Sequence, residues 1–320
     1  MSKRLSRIIG SGAYVPPNLV TNDDLAKRID TNDEWIVTRT GIKQRYVAGE
    51  GETTTTMAYQ AALRALEAAN LSANDIDMIV LATTTPDNIF PSVATQVQAM
   101  LGMTKGAAFD VQAVCSGFVY ALAVADNFIR LQQAEKILVI GAESMSKILD
   151  WNDRSTCVLF GDGAGAVVLA AETNEERGIL ATKLYSDGSL KDILFTDGGI
   201  AKGNMGTISM SGKEVFKHAV EKMSSAIESL LQANQLTVAD IDYLVPHQAN
   251  VRIIDGIGRK LGLKAEQVII TVDKHANTSA ASIPLALDSA LKQNTIKPGD
   301  IVVFTALGGG ITWGAVLIKW

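Results

Sequence analysis

The feature that most constrains this chain is an echo of its first half in its second. The segment ANLSANDID at 69–77 closes a helical pattern and leads into an aliphatic run. QLTVADID at 235–242 does the same, and Asp75 and Asp240 stand 165 positions apart. Asp110 in AFDV and Asp273 in TVD are 163 apart, as are Leu138 in KILVI and Ile301 in DIVVF. GAVV from Gly165 and GAVL from Gly314 are only 149 apart, so the first half has gained about 14 residues between those elements. The gain lies around 144–156 and contains Trp151 and Arg154. Four matches in one order, with one insertion, describe two similar halves.

Aliphatic runs at 76–82, 107–111, 136–140, 164–170, 241–245, 268–271, 301–305 and 315–319 predict strands. Most are continuous rather than alternating, as expected of strands covered on both faces. Between them lie helical patterns. Over 213–233, Val215, Phe216, Ala219, Met223, Ile227, Leu230 and Leu231 fall on one side, with Lys217, Glu221 and Glu228 off it. Strands alternating with helices give an α/β fold. Only the polar turn 172–178 separates the halves, with no Pro- or Ser-rich linker, so tight packing is expected.

At 320 residues the chain buries a large core without disulfides or metal, and 47% hydrophobic with 20% charged residues is a globular composition. A net charge of −5 argues against nucleic acid as the main partner. The basic start MSKRLSRIIGSG is not followed by a signal-length apolar stretch, and no window offers a membrane span. Two cysteines make neither a disulfide framework nor a metal cluster. The expectation is a protein of a reducing compartment, the cytoplasm.

Chemistry enters at DVQAVCSGF, 110–118. A strand ends near Val111 and a helical pattern begins after Gly117, which sets Cys115 at a helix N-terminus, where partial positive charge favours the thiolate. The competing reading is a small buried hydrophobe, the reading Cys157 also receives. His218 lies beside the apolar stripe of 213–233 and reads as structural. His247, in LVPHQAN, stands just past a strand end, where open α/β sheets bind ligands. His275 and Asn277, in DKHANTSAA, follow another strand and match by the echo the neighbourhood of Cys115. On the residues alone two readings stand: one central site built from both halves, or unrelated polar loops. The triple glycine 308–310 permits close ligand approach or a tight turn. GDGAG at 161–165 precedes a strand and lacks the P-loop lysine, so it reads as a turn.

Taken together, TNDEWIVTRTGI (31–42), CSGF (115–118), FGDGAG (160–165), VPHQAN (245–250), NTSAASIP (277–284) and GGGITWG (308–314) resemble the β-ketoacyl-acyl carrier protein synthase III family, over nearly the whole chain. The resemblance implies the thiolase fold, two similar halves in five α-β-α-β-α layers. The first, 1–172, would carry the nucleophile and the second, 173–320, the His and Asn. It implies a condensation of an acyl-CoA primer with malonyl-acyl carrier protein through a Cys115, His247, Asn277 triad. Main-chain N–H groups of Cys115 and Gly309 would form the oxyanion hole. No metal or prosthetic group is implied; CoA enters as a substrate thioester.

The same resemblance assigns further positions. Trp35 and Arg154 would sandwich the CoA adenine, with Thr31, Arg39, Gly212 and Asn250 along the CoA channel. Lys217, Arg252, Arg259 and Lys260, with Gln248, Ala249, Asn250 and Val251 at the channel mouth, would receive the acidic carrier protein. Phe90 would reach the acyl pocket of a second copy, implying a homodimer, and Leu307 would line the chain's own acyl pocket. Leu307 and Ile311 stand where many members carry Phe, which puts the identity of the primer in question. The rival readings are a triad-retaining acyltransferase of secondary metabolism, a silent carrier-protein binder and a hydrolytic thioesterase.

Overall fold

The computed structural model describes residues 4–173 and 176–320. Met1–Lys3 of the basic start, and Asn174 and Glu175 of the polar turn, lie outside the described residues. The order is β1 (Leu5–Tyr14), β2 (Leu19–Thr21), α1 (Asn22–Ala26), α2 (Asp33–Thr40), β3 (Gln44–Tyr46), α3 (Thr54–Ala69), β4 (Met78–Ala82), α4 (Val93–Met100), β5 (Ala107–Val111), α5 (Gly117–Arg130), β6 (Lys136–Glu143) and β7 (Gly163–Glu172). It continues with β8 (Gly178–Ser186), β9 (Leu194–Thr196), β10 (Ile208–Met210), α6 (Gly212–Ala233), β11 (Tyr243–Pro246), α7 (Val251–Leu261), α8 (Val272–His275), α9 (Ser282–Lys292), β12 (Ile301–Gly308) and β13 (Thr312–Lys319).

Two sheets carry the fold. The first runs β1-β7-β6-β4-β5 and the second β8-β13-β12-β11. Pairing repeats between them: β6 and β12 are each antiparallel to the strand that follows, and parallel to β4 and β11 respectively. Within each sheet the continuous aliphatic runs sort by parity between a shared central core and an outer one. Val80, Val139, Phe304 and Val316 enter a central core shared with α5 and α9. Ile79, Leu81, Leu138 and Ile140 face α3 and α4 on one outside, and Val303 and Leu317 face α6 and α7 on the other. Five layers result, α-β-α-β-α. Each fully buried Val, Leu or Ile adds roughly 1.5–3 kcal/mol relative to exposure, before the cost of ordering the chain.

The echo has local physics behind it. Ser72 with Asp75, and Thr237 with Asp240, form the same capping box ahead of β4 and β11. Asp77 accepts the N–H of Lys136 at 3.0 Å and Asp242 that of Ile301 at 2.8 Å, tying the start of each central strand to its neighbour. The halves part company at 268–271, which the aliphatic pattern predicts as a strand. Only one parallel bridge, Leu244 with Val268, forms there. The Gln248 side chain takes the next backbone groups instead, donating to the Ile269 carbonyl and accepting from the N–H of Thr271 and Val272. The predicted helix 213–233 is α6, although Phe216 is 40% exposed rather than on its buried face. The edge strands β1 and β8 carry little apolar signal. In β1, Gly10 and Gly12 lie so close to α3 that an added Cβ would run into its backbone.

Candidate active site

The strand-to-helix link after β5 makes a sharp turn in which Val114 takes φ 47°, a left-handed value costly for a β-branched residue. The Ser116 hydroxyl ties the turn down, donating to the Ala113 carbonyl at 2.7 Å and meeting the Thr312 hydroxyl at 2.8 Å. Cys115 therefore sits in the short turn Val114–Ser116 that leads into α5, with its side chain lining a cavity of about 480 Å³ between the halves. The equivalent turn of the second half has Ser279 at φ 48°, and 114 and 279 are again 165 apart. Gly308 lies directly behind Cys115, where an added Cβ would fall 2.9 Å from the Cys115 nitrogen.

His247 follows β11, held by its own N–H on the Thr305 carbonyl at 2.8 Å. Its Nδ1 meets the Ser282 hydroxyl at 2.7 Å, which leaves Nε2 as the ring nitrogen for the cavity it lines. Burial holds its pKa down at about 3, so the ring is neutral. Asn277 accepts the Ser279 N–H on Oδ1 at 2.9 Å, which leaves its Nδ2 donor for the same cavity. A helix N-terminus by itself lowers a cysteine pKa. Burial dominates instead and pushes the Cys115 thiol up to about 12; the Ser279 hydroxyl lowers it and the charge of Glu143 adds to the rise. At rest the site holds a protonated thiol facing two uncharged polar side chains. Cys157 is buried and lies outside the cavity lining, in a cluster with Ile36, Met145 and Phe160.

Gly212, Ala249, Asn250, Leu307 and Gly309 also line the cavity. Asn250 caps α7, accepting from the Ile253 N–H at 3.0 Å. Thr31, Trp35, Arg39 and Arg154 lie outside the lining, on α2, the turn before it and the inserted segment. Asn32 caps α2 through the Trp35 N–H at 2.8 Å. The guanidinium carbons of Arg39 and Arg154 stand 4.5 and 5.2 Å from the indole centre. Arg154 is also ion-paired with Asp30 at 3.0 Å, and the Thr31 hydroxyl is buried without a partner. Arg252, which donates to the Thr38 carbonyl, is exposed on α7 with Arg259 and Lys260, and Lys217 is exposed on α6.

Gln248 is 1% exposed and its amide is fully occupied inside the protein, so its side chain braces the loop rather than presenting itself at the surface. Phe90 is 84% exposed beside Ile89 and lies outside the cavity lining of its own chain. Ile311 is fully buried at φ 49°, behind the triple glycine. Sequence reading missed the roles of Glu143 and Ser282, took Gly308 only as part of the triple glycine, and missed the β9–β10 hairpin, from which Leu194, Phe195, Ile208 and Met210 wall the cavity. A carboxylate closing an aliphatic strand was the one available signal for Glu143.

Fold and cavity together define an architecture: two repeated α/β halves with a thiol at their common centre. Comparison with known proteins narrows it. The profile described as 3-oxoacyl-[acyl-carrier-protein] synthase III matches residues 109–188, and its C-terminal counterpart matches 231–320. The chain is 57% identical over 319 residues to the β-ketoacyl-[acyl-carrier-protein] synthase III of Paramagnetospirillum magneticum, covering 98% of each. It is 58% identical to that of Rhodospirillum centenum, covering 98% of this chain and 99% of the relative. The crystal structure of 3-oxoacyl-[acyl-carrier-protein] synthase III from Aquifex aeolicus superposes with a TM-score of 0.95 at 50% identity, covering 98% of this chain and 100% of that one. The chain belongs to the 3-oxoacyl-[acyl-carrier-protein] synthase III family.

Proposed function

We propose that this protein condenses a short acyl-CoA primer, acetyl-CoA foremost, with malonyl-acyl carrier protein. The products are a 3-ketoacyl-acyl carrier protein, CoA and CO₂, and the bond formed is the first carbon–carbon bond of a fatty acid. The observation that carries this reading is one cavity in which a thiol on a strained turn faces a buried neutral histidine and an asparagine amide.

In this scheme the Cys115 sulfur attacks the primer thioester, CoA leaves as its thiolate, and an acyl-cysteine remains. The N–H groups of Cys115 and Gly309 hold the oxyanion. Malonyl-acyl carrier protein then enters and loses CO₂, and its thioester oxygen takes the negative charge. Nε2–H of His247 and Nδ2–H of Asn277 donate to that oxygen; the Ser282 and Ser279 bonds orient both side chains for it. A carboxylate in either place would repel the enolate. Its carbon attacks the acyl-cysteine, the C–S bond breaks and the thiolate is regenerated. Every step runs through side chains and thioesters, with CoA as substrate rather than cofactor.

The remaining roles extend the reading. Trp35 and Arg154 receive the adenine, which requires Arg154 to leave Asp30 and widen the gap to roughly 7 Å, two carbon contacts. Thr31, Arg39, Gly212 and Asn250 line the way in, and Leu307 bounds the acyl group. Lys217, Arg252, Arg259 and Lys260, with Ala249, Asn250 and Val251, receive the carrier protein. Exposed Phe90 and Ile89 support a homodimer in which Phe90 enters the partner's pocket. The chain divides into halves 1–172 and 173–320 and works in the cytoplasm. Among the described residues no helix is long and apolar enough to cross a membrane.

Intact mass after incubation with a panel of acyl-CoAs, then malonyl-acyl carrier protein, tests the scheme. A mass gain at Cys115 that discharges into a 3-ketoacyl product is expected, and the fastest-loading acyl group names the primer. Cys115→Ser is expected to abolish loading. His247→Ala and Asn277→Ala should load but not decarboxylate; an Asn277→Ala enzyme condensing at the wild-type rate refutes its role. Loading that malonyl-acyl carrier protein fails to discharge points to a secondary-metabolism acyltransferase instead.

A further inference from the structure

The scheme leaves one proton without a destination. Cys115 is protonated at rest and attacks as a thiolate, while His247 serves as a neutral donor. Close enough to Cys115 for its charge to be felt there lies Glu143, the last residue of β6 and 0% exposed. Its Oε2 accepts from the Thr85 hydroxyl at 2.6 Å, the Thr84 and Thr85 N–H at 3.1 and 3.2 Å and the Thr83 hydroxyl at 3.2 Å. Its Oε1 accepts from the Ser279 hydroxyl at 2.9 Å. Ser279 also hydrogen-bonds the Cys115 sulfur, and the charges of Cys115 and Glu143 repel each other. The Ser279 hydroxyl, from the second half, thus connects the thiol on one side with the Glu143 carboxylate on the other.

We propose that Glu143 takes up, through the Ser279 hydroxyl, the proton that Cys115 gives up on attack. The S–H proton passes to Ser279 Oγ while the Ser279 proton passes to Glu143 Oε1. The negative charge moves from the carboxylate to the sulfur, onto the thioester oxygen as the C–S bond forms, and departs with CoA as its thiolate; Glu143 returns its proton when condensation releases the Cys115 thiolate, so no oxidant or further reactant is required. Two buried acids share one charge, which resolves their mutual repulsion. Burial already pushes Glu143 up to about 7, into the range where a carboxylate trades protons near neutrality. The surrounding ionisable groups are engaged elsewhere. Asp162, after β6, accepts from Ala48 N–H and both Ser146 groups. Asp87 accepts from the Thr54 and Thr55 N–H, and neutral His247 meets Ser282. Glu143 acts through Ser279 and is therefore a positioning residue that stores a proton, not a group that touches substrate.

This inference rests on Cys115 being the acylated thiol, and the test separates the two. The rate of Cys115 alkylation by iodoacetamide, followed by intact mass from about pH 5 to about pH 9, reads the thiolate directly without CoA binding. In the wild type the rate should rise with pH and level off where Glu143 ionises. Glu143→Gln should lose that break and rise steadily instead. Ser279→Ala keeps the backbone N–H that holds Asn277; with the relay cut it should lose the break as well and react roughly 10- to 100-fold more slowly near neutrality. If Glu143→Gln fails to fold, Ser279→Ala still decides. An unchanged break in Glu143→Gln, or wild-type reactivity in Ser279→Ala, overturns the proposal. Acetyl-CoA loading in parallel checks the underlying reading: a wild-type enzyme that gains no acetyl group at Cys115 overturns both.

Discussion

Gly308→Ala is a sharp test of how the second half positions the nucleophile. A Cβ at 308 falls 2.6 Å from the Ala113 carbonyl, 2.9 Å from the Cys115 nitrogen and 3.0 Å from the Ser116 nitrogen. All three are backbone atoms of the turn that aims the thiol, so no side chain can swing aside, and relief needs a shift of roughly 0.5–1 Å. Overpacking of this kind costs about 1–3 kcal/mol, a fall in Tm of roughly 2–6 °C for a chain of this size. A displacement near 1 Å at a reacting group costs about 10²-fold in rate. The assay is the rate of acetyl loading at Cys115 by mass, alongside thermal melting. Gly299→Ala is the control: it also has positive φ, 101°, but open space where the Cβ would go. It should lose about 1 kcal/mol of stability and load normally. A folded Gly308→Ala enzyme loading at the wild-type rate would refute the positioning argument.

Three shorter predictions follow from other parts of the site. Trp35→Ala removes the ring flanked by Arg39 and Arg154; it should raise KM for the acyl-CoA about 5- to 10-fold with little change in kcat, measured by initial rates. Arg252→Glu should weaken the carrier-protein step and spare loading from acyl-CoA; equal loss in both steps overturns the docking role. His247 titrates at about 3 in the folded protein against an ordinary 6.5. Between those values the unfolded chain binds the proton and the folded chain does not. Stability from this group is therefore whole above about 6.5 and drains as pH falls toward about 3. Melting curves of His247→Gln should show a shallower acid-side loss than the wild type.

Much of this architecture is legible in the sequence because hydrophobic runs and capping residues act locally. The capping aspartates 75 and 240, and the strand-opening aspartates 77 and 242, hold the same bonds in both halves, so the echo survives in the letters. Strand 268–271 misleads because Gln248, distant in sequence, takes the backbone groups a ladder would use. Edge strands hide because glycine at 10 and 12 answers to the closeness of α3 and carries no apolar signal. At the site, Cys115, His247 and Asn277 stand at element ends, where residue type and position speak together. Glu143 escapes notice, and the triple glycine does not show that Gly308 backs the Cys115 turn, because in both cases the importance lies in what folds against them from more than a hundred residues away. The cysteine pKa misleads for the same reason: a helix end is visible in sequence, whereas complete burial is not.

The two strained turns bear on stoichiometry. Position 280 is the counterpart of Cys115 and holds alanine, 1% exposed. Its Cβ lies 3.4 Å from where a Cβ on Gly117 would stand, and its carbonyl closes on Gly141. A sulfur at 280 would have no room to receive an acyl group without prising the two sheets apart. The molecule is pseudo-symmetric in its frame yet committed to one covalent equivalent per chain. Titration of the pure enzyme with a labelled primer should saturate at a single acyl group per polypeptide, however many copies assemble.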